Sequence, residues 1–206
     1  MNSMGQRALT SELLLEAYSR GIFPMGVDGE IEWFSPDPRA IIPLDSFHVP
    51  RTLRQKWRQG AFEIRIDTVF DEVMRACADR PEGTWITEEI LKSYNRLHTL
   101  GFAHSLEAWK DGELAGGLYG VSIGAAFFGE SMFHRVTDAS KIALVALVER
   151  LRDREFTLLD TQFRTEHLDR FGTVEISRDE YLTRLSEAIQ LSRSFAEVKK
   201  EKRPRR

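Results

Sequence analysis

The sequence predicts an α+β chain built on one mixed sheet, and three observations carry that reading. Short apolar strands between Ser105 and Phe128 are punctuated by Gly116, Gly117, Gly120 and Gly124, with Asp111-Gly112 as a two-residue hairpin signal, so an antiparallel meander is expected. Ile142, Val145 and Val148 then recur at helical spacing behind the cap types Thr137 and Asp138. Residues 157–163 (TLLDTQF) follow as a buried strand carrying two polar side chains. A meander, a helix and a further strand combine in a sheet of mixed direction.

The bulk properties fit such a domain. The chain has 206 residues, 42% hydrophobic and 30% charged, enough for one domain or for a domain with a small lobe. Its net charge of -3 argues against general coating of nucleic acid, though not against a local basic patch. With the single cysteine Cys77 no internal disulfide can form, and that side chain reads as a small buried hydrophobe. The five histidines lack metal-ligand spacing, so no metal site and no cofactor are expected. The first residues lack an apolar signal region and no run reaches membrane-spanning length, so a cytoplasmic protein without a membrane partner is expected.

In chain order, Thr10 or Ser11 caps a helix that Gly21 stops near Arg20. GIFPMG reads as a turn, Glu30–Phe34 as a short strand, SPDPR as a proline-punctuated loop, and residues 41–44 as an edge strand. Arg51, Arg54, Lys56 and Arg58 form a dense basic cluster, read either as a solvated helix face or as a phosphate contact. Gly60 divides residues 1–60, a small N-terminal α/β lobe, from residues 61–196. Phe62, Ile64 and Ile66 alternate as a strand, and Asp67 is expected to cap a helix through about Ala78. A loop places Trp85, and Thr87 opens a helix that ends at Gly101. Beyond the buried strand come a short helix at residues 165–171, a strand at Val174 and Ile176, and the capping box Ser177–Glu180. That box opens a helix expected to run to about Phe195, and the basic residues 197–206 read as a disordered tail.

The functional signal lies in the buried strand. Side chains alternate across a strand, so Asp160 and Gln162 share one face while Leu159, Thr161 and Phe163 share the other. A strand buried on both faces should be continuously apolar. An acid and an amide there imply either a satisfied polar network or a site.

The element order resembles the acyltransferase fold of the GNAT superfamily. Longer blocks are more specific: AYSRGIFPM (17–25), WFSPDPRAIIPLDSFHVPRTLR (33–54), GTWIT (83–87), LHTLGFAHSLEAW (97–109), GGLYG (116–120), FFGESMF (127–133), DASKIAL (138–144) and LLDTQFRTEHL (158–168). Together, over roughly residues 10 to 182, they resemble the leucyl/phenylalanyl-tRNA–protein transferase family. The resemblance implies a GNAT-like catalytic domain at 61–196. It also implies an enzyme that moves leucine or phenylalanine, and methionine less well, from aminoacyl-tRNA to proteins with N-terminal arginine or lysine, marking them for proteolysis. The donor ester is already activated, so ATP and metal are not required, and a monomer is expected.

By resemblance, Asp160 and Gln162 lie at the reaction centre, Asp160 polarising Gln162 or the incoming amine and Gln162 lying close to that amine. Glu130 would anchor a cationic group of the acceptor; on the residues alone it could instead pair with Lys141 or Arg135. Leu118, Phe127, Met132 and Leu147 match the Leu/Phe pocket, although alone they read as core. Trp33 and Trp85 would stack on the terminal adenosine or wall the pocket. Arg51, Arg54, Lys56 and Arg58 would face the acceptor arm of the tRNA. Glu155 departs from the glycine many relatives carry there. Two rivals remain at this level. An acyl-CoA N-acetyltransferase needs a glycine-rich turn at a helix N-terminus, which HRVTDASK lacks. A non-catalytic tRNA-binding module would make the Asp160/Gln162 pair purely structural.

Overall fold

The computed structural model describes residues 9–81 and 83–196. Helix α1 (Ser11–Ser19) opens where the Thr10 side chain accepts from the Leu13 N–H, and Gly21 ends it at φ +74°. GIFPMG, expected as a turn, instead supplies strand β1 (Phe23–Val27), paired antiparallel with β2 (Glu30–Phe34). The turn proper is Asp28-Gly29, both at positive φ, which suits the twist of a two-residue hairpin.

Strand β3 (Arg39–Ile41) begins two residues before the expected edge strand and is not at an edge. It lies between two strands from the far end of the chain. Helix α2 (Arg51–Arg58) carries the basic cluster and buries only Leu53. Strand β4 (Glu63–Ile66) leads to α3 (Phe70–Ala78). Asp67 does not cap that helix. Its carboxylate accepts from the Ser105 N–H and meets the His104 ring, while buried Glu107 accepts from the backbone N–H groups of Thr68 and Val69. Thr87 does cap α4 (Glu88–Thr99), accepting from the Ile90 N–H, and Gly101 ends it at φ +83°.

The meander is β5 (Ala103–Lys110), β6 (Glu113–Ile123) and β7 (Ala126–His134), with Asp111-Gly112 at the first turn. Helix α5 (Ala139–Asp153) crosses over to β8 (Leu158–Gln162). Asp138 precedes α5 without a side-chain capping bond; it holds Lys56 and Lys141 instead, at 2.6 and 2.7 Å. Helix α6 (Glu166–Asp169), strand β9 (Val174–Ile176) and helix α7 (Arg178–Gln190) complete the chain. Ser177 caps α7 as expected. The helix stops at Gln190, short of Phe195, which folds back as a separate core plug on Phe127, ring centroids 4.9 Å apart. The tail at 197–206 lies outside the described residues.

The seven-stranded sheet has the order β4-β5-β6-β7-β8-β3-β9, and only β7 and β8 are parallel. The expected mixed-sheet α+β class is therefore observed. One face packs on α1, α3, α4 and α7 through Leu14, Tyr18, Val73, Tyr94 and Leu185. The other packs on α5 through Leu144, Val148, Leu106 and Leu159, and on Leu53 of α2. Close approach explains Gly116, where a Cβ would stand 2.7 Å from that of Ala139 at the start of α5. Among the described residues no helix is long and apolar enough to cross a membrane.

Candidate active site

The site sits where the sheet parts. Strands β7 and β8 pair only through Ala126–Phe128 and Leu158–Asp160, and then diverge. At the gap, β7 carries a bulge. Gly120 faces Gly129 and Tyr119 faces Ser131, which leaves Glu130 as the extra residue. A bulge re-aims a side chain, and this one delivers Glu130 into the gap.

A cleft of about 590 Å³ fills the gap. On the α5 side its wall is apolar, built from Leu118, Met132, Leu144, Leu147, Leu159 and Leu168. Towards α3 it is polar, with Asp79, Arg80, Trp85 and Ser131. Glu130 and Gln162 stand between the two, one from each parting strand, and the Gln162 Nε2 donates to Glu130 Oε1 at 3.4 Å. Glu130 also accepts from the Tyr18 hydroxyl at 2.6 Å, and that hydroxyl is itself in short contact with the Tyr94 hydroxyl. Burial pushes the Glu130 carboxyl up to about 8; the charge on Asp160 adds to the rise, while the Tyr18 hydrogen bond and the Arg39 charge oppose it. At neutral pH Glu130 is therefore largely protonated. The pairs with Lys141 or Arg135 do not form: Lys141 holds Asp138 and Arg135 holds Glu72.

Alternation in β8 holds from Leu159 to Gln162 but not for Phe163: the strand ends at Gln162, which turns the chain at φ 59°, and the Phe163 ring packs edge-on against Phe23 instead of joining Leu159 and Thr161. Asp160 and Gln162 share the face towards α1 and α7, whereas Leu159 and Thr161 line the apolar side of the cleft. Asp160, however, does not reach the cleft. It is fully buried in a bidentate pair with Arg39, takes a third bond from the Tyr181 hydroxyl, and accepts from the backbone N–H of Gln162 rather than from its amide. Burial disfavours the Arg39 charge most strongly of any single cause, but the Asp160 hydrogen bonds and the Asp160 charge together outweigh it, so that guanidinium is held above its usual range.

The remaining expected residues divide. Leu118, Met132, Leu147 and Trp85 line the cleft. Phe127 does not: it is wholly buried beneath the site against Phe195. Trp33 stands on β2, 39% exposed and outside the cleft wall, although its hairpin is tied to the Trp85 loop by the Gly26 N–H donating to the Trp85 carbonyl. Arg51, Arg54 and Arg58 border a separate depression with Gln55 and Gln59, while Lys56 turns to Asp138. Sequence reasoning missed Leu144, one turn from Leu147 on the same face of α5, and the buried partners Arg39, Tyr18 and Tyr181. It also missed His167, a cleft residue whose Nε2 is buried without a hydrogen-bond partner and whose titration burial pushes down.

The sequence matches the family model for leucyl/phenylalanyl-tRNA protein transferase over residues 41–186, and the model for the N-terminal domain of the same transferase over residues 7–37. The leucyl/phenylalanyl-tRNA–protein transferase of Gloeobacter violaceus is 58% identical, across 91% of this chain and 97% of its own length. That of Herpetosiphon aurantiacus is 55% identical across 92% and 99%. Among solved structures, a GCN5-related N-acetyltransferase from Anabaena variabilis superposes with a TM-score of 0.44 at 11% identity, covering 82% of this chain and 42% of that one. The extent of the family-model matches, over residues 7–37 and 41–186, and of the identity to these transferases shows that the chain belongs to the leucyl/phenylalanyl-tRNA–protein transferase family of aminoacyltransferases.

Proposed function

We propose that this enzyme takes leucine or phenylalanine, and methionine less well, from aminoacyl-tRNA and joins it to the α-amine of proteins that begin with arginine or lysine, so marking them for proteolysis. The observation that carries this reading is the two-sided cleft, apolar towards α5 and polar towards α3, with Glu130 and Gln162 in the strand gap between the two. The donor side chain enters the apolar side, where Met132 suits both branched and aromatic shapes. The acceptor amine approaches from the polar side. Its nitrogen attacks the ester carbonyl, an N–C bond forms, the C–O bond to the ribose breaks, and the amine proton ends on the ribose oxygen.

Alignment of the two substrates across the gap supplies much of the rate in such a step, on the order of 7–11 kcal/mol at best. Gln162 positions the amine; a neutral amide is too weak a base to do more. A free α-amine titrates near 8, and Glu130 is pushed up to about 8. Only the ionised minority of Glu130 at neutral pH can take the amine proton and, once protonated, return it to the leaving oxygen. In this reading Trp85 walls the acceptor side, Trp33 offers an exposed ring to the terminal adenosine, and the Arg51, Arg54 and Arg58 face receives the acceptor arm in an aqueous, monomeric, cytoplasmic enzyme.

The test is transfer of radiolabelled leucine from Leu-tRNA to a peptide with N-terminal arginine, run beside an N-terminal alanine peptide and the Asp160→Ala variant. Transfer to the arginine peptide alone, lost in a folded D160A protein, is expected. No transfer from leucine, phenylalanine or methionine donors would overturn the reading.

A further inference from the structure

Asp160 has no lone pair left for substrate. Oδ1 accepts from Arg39 Nε and from the Gln162 backbone N–H, both at 2.9 Å; Oδ2 accepts from Arg39 Nη2 at 2.6 Å and from the Tyr181 hydroxyl at 2.8 Å. A carboxylate offers about four acceptor sites, and all are used. Arg39 is 1% exposed, its Nη1 donates to the Gly21 carbonyl at 3.0 Å, and its guanidinium lies over the rings of Tyr181 and Phe23. Gln162 meanwhile holds φ at 59°, a left-handed conformation that L residues adopt only under local constraint.

We infer that Arg39 is a positioning residue for the transfer: with Tyr181 it locks Asp160, and Asp160 in turn holds Gln162 in the backbone conformation that aims its amide at Glu130 and the cleft. The inference rests on the transferase reading above and deepens it. The bond from Asp160 to the N–H two residues on is an Asx-type turn, which Asp forms readily and which stabilises an otherwise disfavoured backbone. It persists only while the carboxylate rotamer is fixed. Burial alone would neutralise an unpaired acid. The planar fork of arginine prevents that and sets both oxygens at once, which the single ammonium of lysine cannot do.

A purely structural pair would also tie β3, β8 and α7 together, so stability alone does not decide. The full-length chain is compared as wild type, Arg39→Lys and Tyr181→Phe in steady-state leucine transfer with each substrate varied. Thermal unfolding and NMR hydrogen exchange at the Gln162 amide are measured alongside. For R39K we expect a fall in kcat of about 100-fold, the size of a misplaced reacting group. A smaller fall is expected for Y181F, with KM for Leu-tRNA near the wild-type value and faster exchange at Gln162 in both. If R39K does not fold, Y181F decides, since it removes one hydroxyl and keeps the ring. Wild-type kcat in the folded variants, a loss confined to KM, or unchanged exchange at Gln162 would each overturn the inference. A wild-type protein that transfers nothing, with Gln162 exchange still accelerated in the variants, would sink the transferase reading and leave the clamp standing.

Discussion

Glu130 ties the chemistry of the site to the stability of the fold. It occupies the bulge of β7, accepts from Tyr18, and has its carboxyl pushed from 4.5 up to about 8 by burial. A group with a folded pKa above its unfolded value stabilises the protein fully at low pH and loses that contribution as pH rises through the folded value. Wild-type stability should therefore decline between about pH 5 and pH 8 from this residue. Glu130→Gln is neutral throughout and escapes the decline. Thermal unfolding at pH 5, 7 and 9 should show the variant gaining on wild type as pH rises, while its transfer activity falls; curves that stay parallel would count against a buried, protonated Glu130. Little of this was legible in the sequence. Glycines within a strand pattern mark either a bulge or a close approach of backbone or ligand, and only the register of β6 against β7 shows a bulge and which residue it ejects. Arg39 was hidden for a different reason: it follows Pro38 in what reads as a loop, and the acid that makes its burial tolerable lies 121 residues further on.

At the scale of elements, local chemistry was readable and distant pairing was not. Thr87, Ser177 and Asp111-Gly112 behave as their sequences indicate because caps and tight turns are decided within a few residues. Strand β3 was misplaced at an edge because both its neighbours, β8 and β9, arise more than 100 residues later. The same distinction bears on α2, whose basic face is local in sequence but whose lysine is claimed by Asp138 of another element. Converting Arg51, Arg54 and Arg58 to Gln should weaken tRNA binding and flatten its salt dependence, by about 0.7–0.9 in log–log slope for each phosphate contact removed. Lys56→Gln should flatten it less. Filter binding across a KCl series reads both, and identical slopes would refute contact through α2. The packing of α5 on β6 offers an independent check on the scaffold. Gly116→Ala places a methyl 2.7 Å from the Ala139 Cβ and 2.9 Å from the Phe133 carbonyl. Overpacking of that kind costs about 1–3 kcal/mol, measurable as a lower urea midpoint.

The molecule as a whole uses its sheet as a partition. One helical layer, α1, α3, α4 and α7, surrounds the Arg39–Asp160–Tyr181 and Tyr18–Glu130 networks; the other, centred on α5, supplies the apolar wall. The gap between β7 and β8 opens between the two layers, so in the proposed reaction donor and acceptor reach the same two side chains from opposite faces. Such a layout makes selection of each substrate separable. Leu147→Phe fills the apolar side and should disfavour a phenylalanine donor against leucine. Steric discrimination in an apolar pocket is worth roughly 1–3 kcal/mol, or about 10–200-fold in kcat/KM. The KM for the acceptor peptide should not change. Asp79→Asn removes a charge from the polar side and should raise the acceptor KM without altering the leucine-to-phenylalanine ratio. Competition between Leu-tRNA and Phe-tRNA at saturating peptide, repeated with the peptide varied, measures both quantities in each variant. If either substitution moves donor preference and acceptor KM together, the two substrates share one side of the sheet and the partition does not describe how the enzyme works.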